Sequence, residues 1–90
     1  MTNREVTVTN DAGIHTRPAS LIVKTASRFD SDIFIRKGDY EINGKSVIGV
    51  MTLAAAPGAT LTLVADGPDE VEALDALEDL FDRGFGEVER

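Results

Sequence analysis

The sequence predicts an α+β fold: an open-faced β-sandwich in which three helices cover one face of a four-stranded, mainly antiparallel sheet. Three observations carry this. Apolar residues alternate at period two in four short segments, the period lengthens to that of a helix in three others, and turn residues separate them. The resulting order is β-α-β-β-α-β-α, the signature of a sheet with helices layered on one side. Ninety residues make one domain, 1–90, with room for a single core.

Each element has a local reason. Val6 and Val8 face one way and Glu5, Thr7 and Thr9 the other, so residues 5–9 form a half-buried strand. Asn10-Asp11-Ala12-Gly13 is turn chemistry. From Pro18 to Phe29 the pattern is helical, with Ala19, Ile22, Val23 and Ala26 at i, i+3, i+4 and i+7. Pro18 is tolerated in a first turn, where its missing N–H is not needed. Asp32–Arg36 and Tyr40–Asn43 form a hairpin around Lys37-Gly38-Asp39. Ser46 is an N-cap for a short apolar helix from Val47 to about Leu53. After the Pro57-Gly58 turn, Thr60–Ala65 alternates again, with Leu61, Leu63 and Ala65 inward. The last helix opens at Pro68-Asp69-Glu70, with acids in its first turn. Val71, Leu74, Leu77 or Glu78, and Phe81 mark its stripe, and Gly84 ends it. Tyr40 and the phenylalanines read as core or packing residues.

Composition narrows the function. With 42% apolar residues the chain is globular, not a disordered tail. There is no cysteine, hence no disulfide, thiol catalysis or zinc thiolate. Its longest apolar run, around Leu53–Pro57, is far short of a membrane span, and the opening residues show no signal-peptide core. Cytoplasmic location without membrane insertion is the expectation. The net charge of −7 is unevenly placed: residues 66–90 hold ten acids and two bases, whereas 1–65 hold six acids and seven bases. Overall acidity argues against nucleic acid as a partner. The acidic run from Asp69 to Asp82 reads as a solvated helix face, with no calcium-loop spacing and no metal-ligand pair.

Chemistry concentrates at the single histidine. Gly13-Ile14-His15-Thr16-Arg17-Pro18-Ala19 joins the first strand to the first helix. With His15 at the N-cap, the backbone amides of Thr16 and Arg17 lack intrahelical acceptors and form an anion site at the positive end of the helix dipole. That end disfavours imidazolium, which favours the neutral, nucleophilic ring. Arg17 adds a permanent charge in a planar fork suited to phosphate oxygens. Nδ1 lies nearer the backbone than Nε2 and is the better placed to hold a phosphate over those amides. A lone histidine beside a turn is more often solvated surface. The sequence Gly-x-His-x-Arg-Pro is more specific, because it joins nucleophile, anion hole and counter-charge within a few residues.

These residues resemble HPr, the histidine phosphocarrier family of the bacterial phosphoenolpyruvate-dependent phosphotransferase system. The resemblance spans nearly the whole chain. It rests on Gly13–Ala19, on Gly44-Lys45-Ser46-Val47-Ile48-Gly49-Val50-Met51, on Asp66-Gly67-Pro68-Asp69-Glu70, and on the spacing between these blocks. It implies a stoichiometric relay rather than an enzyme, acting as a monomer without cofactor or metal. His15 would be phosphorylated through Nδ1 with Arg17 supporting the phosphate. Enzyme I would be the donor, and IIA proteins or domains in sugar uptake the acceptors. An alternative is the nitrogen-related branch, relaying phosphate to a regulatory IIA protein; the Gly84–Glu87 tail and the Ala-rich Leu53–Ala56 segment leave it open. Others are a regulator acting by binding a transcription factor and a structural module with no phosphate chemistry.

The resemblance also implies a docking face on the first two helices. Arg17, Ser20, Leu21, Lys24 and Arg28 lie opposite the apolar stripe of the first helix. Leu21 is either an ordinary exposed leucine or part of that face. In the second helix Val50 and Leu53 serve the core, which leaves Val47 and Ile48, with Met51 beside them, to contact a partner. Arg17, Lys24, Arg28 and Lys45 would rim the patch and favour acidic partners. Ser46 has a sufficient role as an N-cap; the resemblance adds regulatory phosphorylation by an HPr kinase/phosphorylase. A phosphate there would suit the helix dipole while placing negative charge beside the patch.

Overall fold

The computed structural model describes residues 1–86, so Glu87 and the rest of the tail lie outside the described residues. The elements are β1 (Thr2–Thr7), α1 (Thr16–Ala26), β2 (Asp32–Lys37), β3 (Tyr40–Asn43), α2 (Val47–Thr52), β4 (Thr60–Asp66) and α3 (Glu70–Asp82), followed by a 3-10 turn at Gly84–Gly86. The sheet order is β1-β4-β2-β3, and every pairing is antiparallel. Val6 sits opposite Leu61, Ile35 opposite both Leu63 and Ile42, and Ile33 opposite Ala65. These side chains are buried with Ile22 of α1, Val50 of α2, and Leu74, Leu77 and Phe81 of α3. One core therefore lies between the sheet and its helices.

β1 begins three residues earlier than the apolar alternation predicts and ends two earlier. Thr2 and Arg4 share the inward face with Val6, opposite Ala65, Leu63 and Leu61. They are polar, so alternation cannot reveal them. Helix α3 satisfies them instead: Glu70 accepts from the Thr2 hydroxyl, and Arg4 reaches Asp75 and, at 2.9 Å, Glu78. Val8 lies beyond the strand and is still buried, with its amide on Ala59 O at 2.9 Å.

Other boundaries shift for equally local reasons. α1 runs from Thr16 to Ala26 rather than from Pro18 to Phe29. The amides of Arg28 and Phe29 bond three residues back, to Thr25 and Ala26, so the chain tightens out of the helix. Val71 is 48% exposed and not part of the α3 stripe. The buried set is Ala73, Leu74, Leu77, Leu80 and Phe81, and at helical period Val71 lies about 120° from its centre. Leu77, not Glu78, is the inward choice. Tyr40 is half exposed, its hydroxyl 2.9 Å from that of Thr52, so it is not a core residue. Phe81 and Phe85 are buried edge to face with centroids 4.9 Å apart, whereas Phe29 and Phe34 are half-buried.

The start of α3 clamps the α1–β2 loop. Asp69 occupies the N-cap but makes no side-chain cap bond to its own helix. Its carboxylate accepts instead from the amides of Asp30 and Ser31, each at 2.9 Å, and from the Ser31 hydroxyl. The same hydroxyl accepts from the Asp69 amide at 3.2 Å. Contact is so close that a Cβ at Gly67 would lie 2.7 Å from Ser31 Cα.

The hydroxyl of Ser31, then the amides around it, hold the Asp69 carboxyl below the ordinary carboxylate range, and the Thr2 hydroxyl does the same for Glu70. A carboxylate depressed in the folded state adds stability at neutral pH and loses it as pH falls through its folded value. Asp69→Asn should therefore lower the melting temperature at pH 7. Its deficit relative to the unsubstituted protein should shrink on acidification, as thermal unfolding followed across the acid range would record.

Candidate functional site

His15 is placed by its neighbours on both sides. Buried Asn10 donates through Nδ2 to Gly13 O at 2.8 Å, while the Gly13 amide returns to Asn10 O at 3.2 Å. Gly13 has φ +72°, and a Cβ there would lie 2.6 Å from Ala55 O. The amide of Ile14 donates to that same Ala55 carbonyl at 3.0 Å, and the Ile14 side chain enters the core. The loop is thus closed against the segment after α2 before the chain reaches His15.

His15 is the N-cap of α1, in extended backbone (φ −115°, ψ −162°), and its ring is exposed. Its carbonyl takes the first intrahelical bond, from the Ala19 amide at 2.9 Å. Pro18 occupies the third helical position, where no amide is needed, and its ring is buried. The first-turn amides are therefore those of Thr16 and Arg17, which precede any acceptor within the helix. The imidazole does not cap them. No acid lies in this first turn to neutralise the positive end of the dipole.

Arg17 is exposed, and its Nη1 donates to Phe85 O at 2.8 Å. This tethers the guanidinium to the turn after α3. Phe85 takes a left-handed conformation, φ +57°, while its ring is buried. Sequence reasoning missed this anchor; the Gly-Phe-Gly pattern signals the turn but not what its carbonyl faces.

At the second helix start, Ser46 Oγ accepts from the Gly49 amide at 3.0 Å and Ser46 O from the Val50 amide at 2.9 Å. The N-cap assignment holds. Val50 and Leu53 are buried, whereas Val47, Ile48 and Met51 are 37%, 78% and 42% exposed. These three belong to a helix that packs beside α1. On α1, Ser20, Lys24 and Arg28 are exposed, with the Arg28 guanidinium 5.7 Å from the Phe29 ring centroid. Leu21 departs from expectation: it is half-buried against the core and presents only part of its surface. The Lys45 ammonium donates to Phe29 O at 2.7 Å, just beyond the end of α1. Among the described residues no three histidine or acidic side chains gather as a metal site would require, and no helix is long and apolar enough to cross a membrane.

An exposed imidazole at the head of a helix, two residues from an arginine, is the arrangement expected of a histidine phosphocarrier. Comparison with known proteins narrows that class. Residues 2–83 match the family model described as the PTS HPr component phosphorylation site. The phosphocarrier protein HPr of Treponema pallidum is 52% identical over 97% of this chain and 99% of its own. The crystal structure of a Thermoanaerobacter tengcongensis HPr superposes with a TM-score of 0.95 at 42% identity, over 99% of this chain and all of that one. The swapped dimer of Bacillus subtilis Crh, a catabolite repression protein, aligns over the full length of both chains with a TM-score of 0.72 and 40% identity. The chain belongs to the HPr family, the phosphocarriers of the phosphotransferase system. It is a stoichiometric carrier, not a catalyst of turnover. The relatives carry the name of the general phosphocarrier, and the nitrogen-related alternative is not supported.

Gly13→Ala would force a Cβ onto the Ala55 carbonyl in a left-handed conformation. A stability loss of about 1–3 kcal/mol is expected, measurable by denaturant unfolding, with slower uptake of phosphate because the N-cap moves with the loop.

Proposed function

We propose that His15 Nδ1 accepts a phosphoryl group from phospho-enzyme I and passes it to IIA proteins or domains, serving sugar uptake and its regulation. The ring attacks phosphorus with the Nδ1 lone pair as the bond to the donor nitrogen breaks; Nε2 keeps its proton. Charge developing on the equatorial oxygens meets the first-turn amides of α1 and the Arg17 guanidinium. The observation that carries this reading is the exposed N-cap histidine at a helix start without first-turn acids. To serve the phosphate, Arg17 must share or give up its bond to Phe85 O.

Ser20, Leu21, Lys24, Arg28 and Lys45, with Val47, Ile48 and Met51, form the docking face in this proposal. Its apolar centre is Ile48, and the cations favour an acidic partner and fast, salt-sensitive association. Phosphorylation of Ser46 by an HPr kinase/phosphorylase would set about two negative charges beside Val47 and Ile48. The added oxygens could still accept from the Gly49 amide, so regulation would act on docking rather than on the fold. A transcriptional regulator is the further partner this face would suit, in keeping with the likeness to Crh. We also propose a monomer working in the cytoplasm. In support, β1 pairs along its whole length with β4 of its own chain and is tied to α3 by Thr2 and Arg4.

Incubation with phosphoenolpyruvate and enzyme I should yield one acid-labile, alkali-stable phosphate per chain, absent in His15→Ala. Unlabelled protein of the original sequence would reject the proposal. Arg17→Ala should slow transfer about tenfold or more and cost about 1 kcal/mol of stability, because Phe85 O loses its donor. Ile48→Asp should weaken binding of a IIA protein by about tenfold or more without lowering the melting temperature, as titration calorimetry and thermal unfolding would show.

A further inference from the structure

We propose that Lys37 is a positioning residue for the transfer at His15, acting through the C-terminal end of α2 without touching the reacting atoms. The inference rests on the phosphocarrier reading and adds a residue that the mechanism above does not use. Lys37 ends β2, and its ammonium donates to Leu53 O at 3.1 Å, with Ala54 O at 3.4 Å. A cation there complements the negative end of the helix. α2 has only six residues, too few to be stable alone. Its final amides, Leu53 and Ala54, bond three residues back to Val50 and Met51.

Ala54 then adopts φ +49°, a left-handed conformation that costs a non-glycine residue about 1 kcal/mol or more. Such a residue persists only where its surroundings over-determine it. Here the turn delivers buried Ala55, whose carbonyl receives the Ile14 amide at 3.0 Å and lies against Gly13. Ile14 is the residue before His15. A chain of contacts thus runs from the Lys37 ammonium to the Leu53 and Ala54 carbonyls just after α2, on to Ala55 O, and from there to the backbone that sets the N-cap. In-line transfer is sensitive to displacements of an ångström or less. Val47 and Ile48 sit at the opposite end of α2, under the Ser46 cap. Loss of the ammonium should therefore disturb the chemistry more than the docking.

The test compares Lys37→Met, Lys37→Arg and the double variant Lys37→Met/Ala54→Gly, each as acceptor for phospho-enzyme I. Hydrogen exchange of the Ile14 and Leu63 amides is followed in parallel. Lys37→Met should lower kcat by about tenfold, leave KM within about twofold, and speed exchange at Ile14 but not at Leu63. Lys37→Arg should restore both, because a cation again meets the carbonyls. The double variant should recover much of kcat, because glycine adopts the left-handed turn without help. The proposal is overturned if Lys37→Met transfers at the original kcat. Ile14 and Leu63 exchange rising together, or a double variant no faster than Lys37→Met, would also overturn it. Failure of the unsubstituted protein to take phosphate would instead overturn the phosphocarrier reading itself.

Discussion

The hydrogen bond from the Ile14 amide to the Ala55 carbonyl joins the two halves of the site. It closes the loop before α1 against the loop after α2, so the two helices that carry the functional residues are fixed to each other at the imidazole. Gly13 makes the closure possible, since a Cβ there would lie only 2.6 Å from the Ala55 oxygen. Asn10 makes it rigid from within, buried and bonded to both sides of the Gly13 backbone. The result is an exposed residue on an ordered backbone. If His15 is the carrying residue, as proposed, its ordering cost is met during folding rather than at each transfer.

The rest of the sheet supports that arrangement from behind. β4 lies between β1 and β2 and contributes Leu61, Leu63 and Ala65 to the core. Its continuation into Gly67 and Asp69 clamps the loop after α1. α1 is thereby held at both ends, by Ala55 through Ile14 at its start and by Asp69 through Asp30 and Ser31 beyond its finish. Lys45, reaching Phe29 O, adds a tie from the segment leading into α2. These ties fix α1 relative to α2, the two helices of the proposed docking face.

The element order and the inward residues Leu61, Leu63 and Ala65 of β4 were legible in the sequence, because their alternation points them at the core, although Val64 between them is buried too. So was the core face of α1, where Ala19, Ile22 and Ala26 fall at helical spacing. β1 was only partly legible: the inward positions Thr2 and Arg4 are polar, and their partners lie about seventy residues away on α3. Leu21 was assigned by its angle on a helical wheel, which does not register that neighbouring elements half cover it. Within the site, the N-cap position of His15 followed from the strand-to-helix junction and Pro18. The carbonyls of Ala55 and Phe85 could not, because every residue has one and only tertiary structure decides which way it points. Ala54 carries no warning either, being an alanine in a conformation that sequence assigns to glycine.

The three helix starts differ in what complements them. At α2 the Ser46 hydroxyl already takes the Gly49 amide, so the helix supplies its own acceptor. At α3, Glu70 and Glu72 place negative charge in the first turn, against the positive end of the dipole. At α1 the first turn has no acid, its cap residue offers an imidazole that does not engage the helix amides, and Arg17 adds positive charge beside it. The same backbone feature thus has a capping hydroxyl at α2 and first-turn acids at α3, and neither of these within α1. In the proposed role, a phosphate on His15 would meet no first-turn acid, so holding it and releasing it can be closely balanced. A helix start already filled by a fixed carboxylate would lose that balance, since a second anion would meet repulsion instead of donors. What would suit this helix to the proposed role is therefore the acid its first turn lacks as much as the histidine it presents.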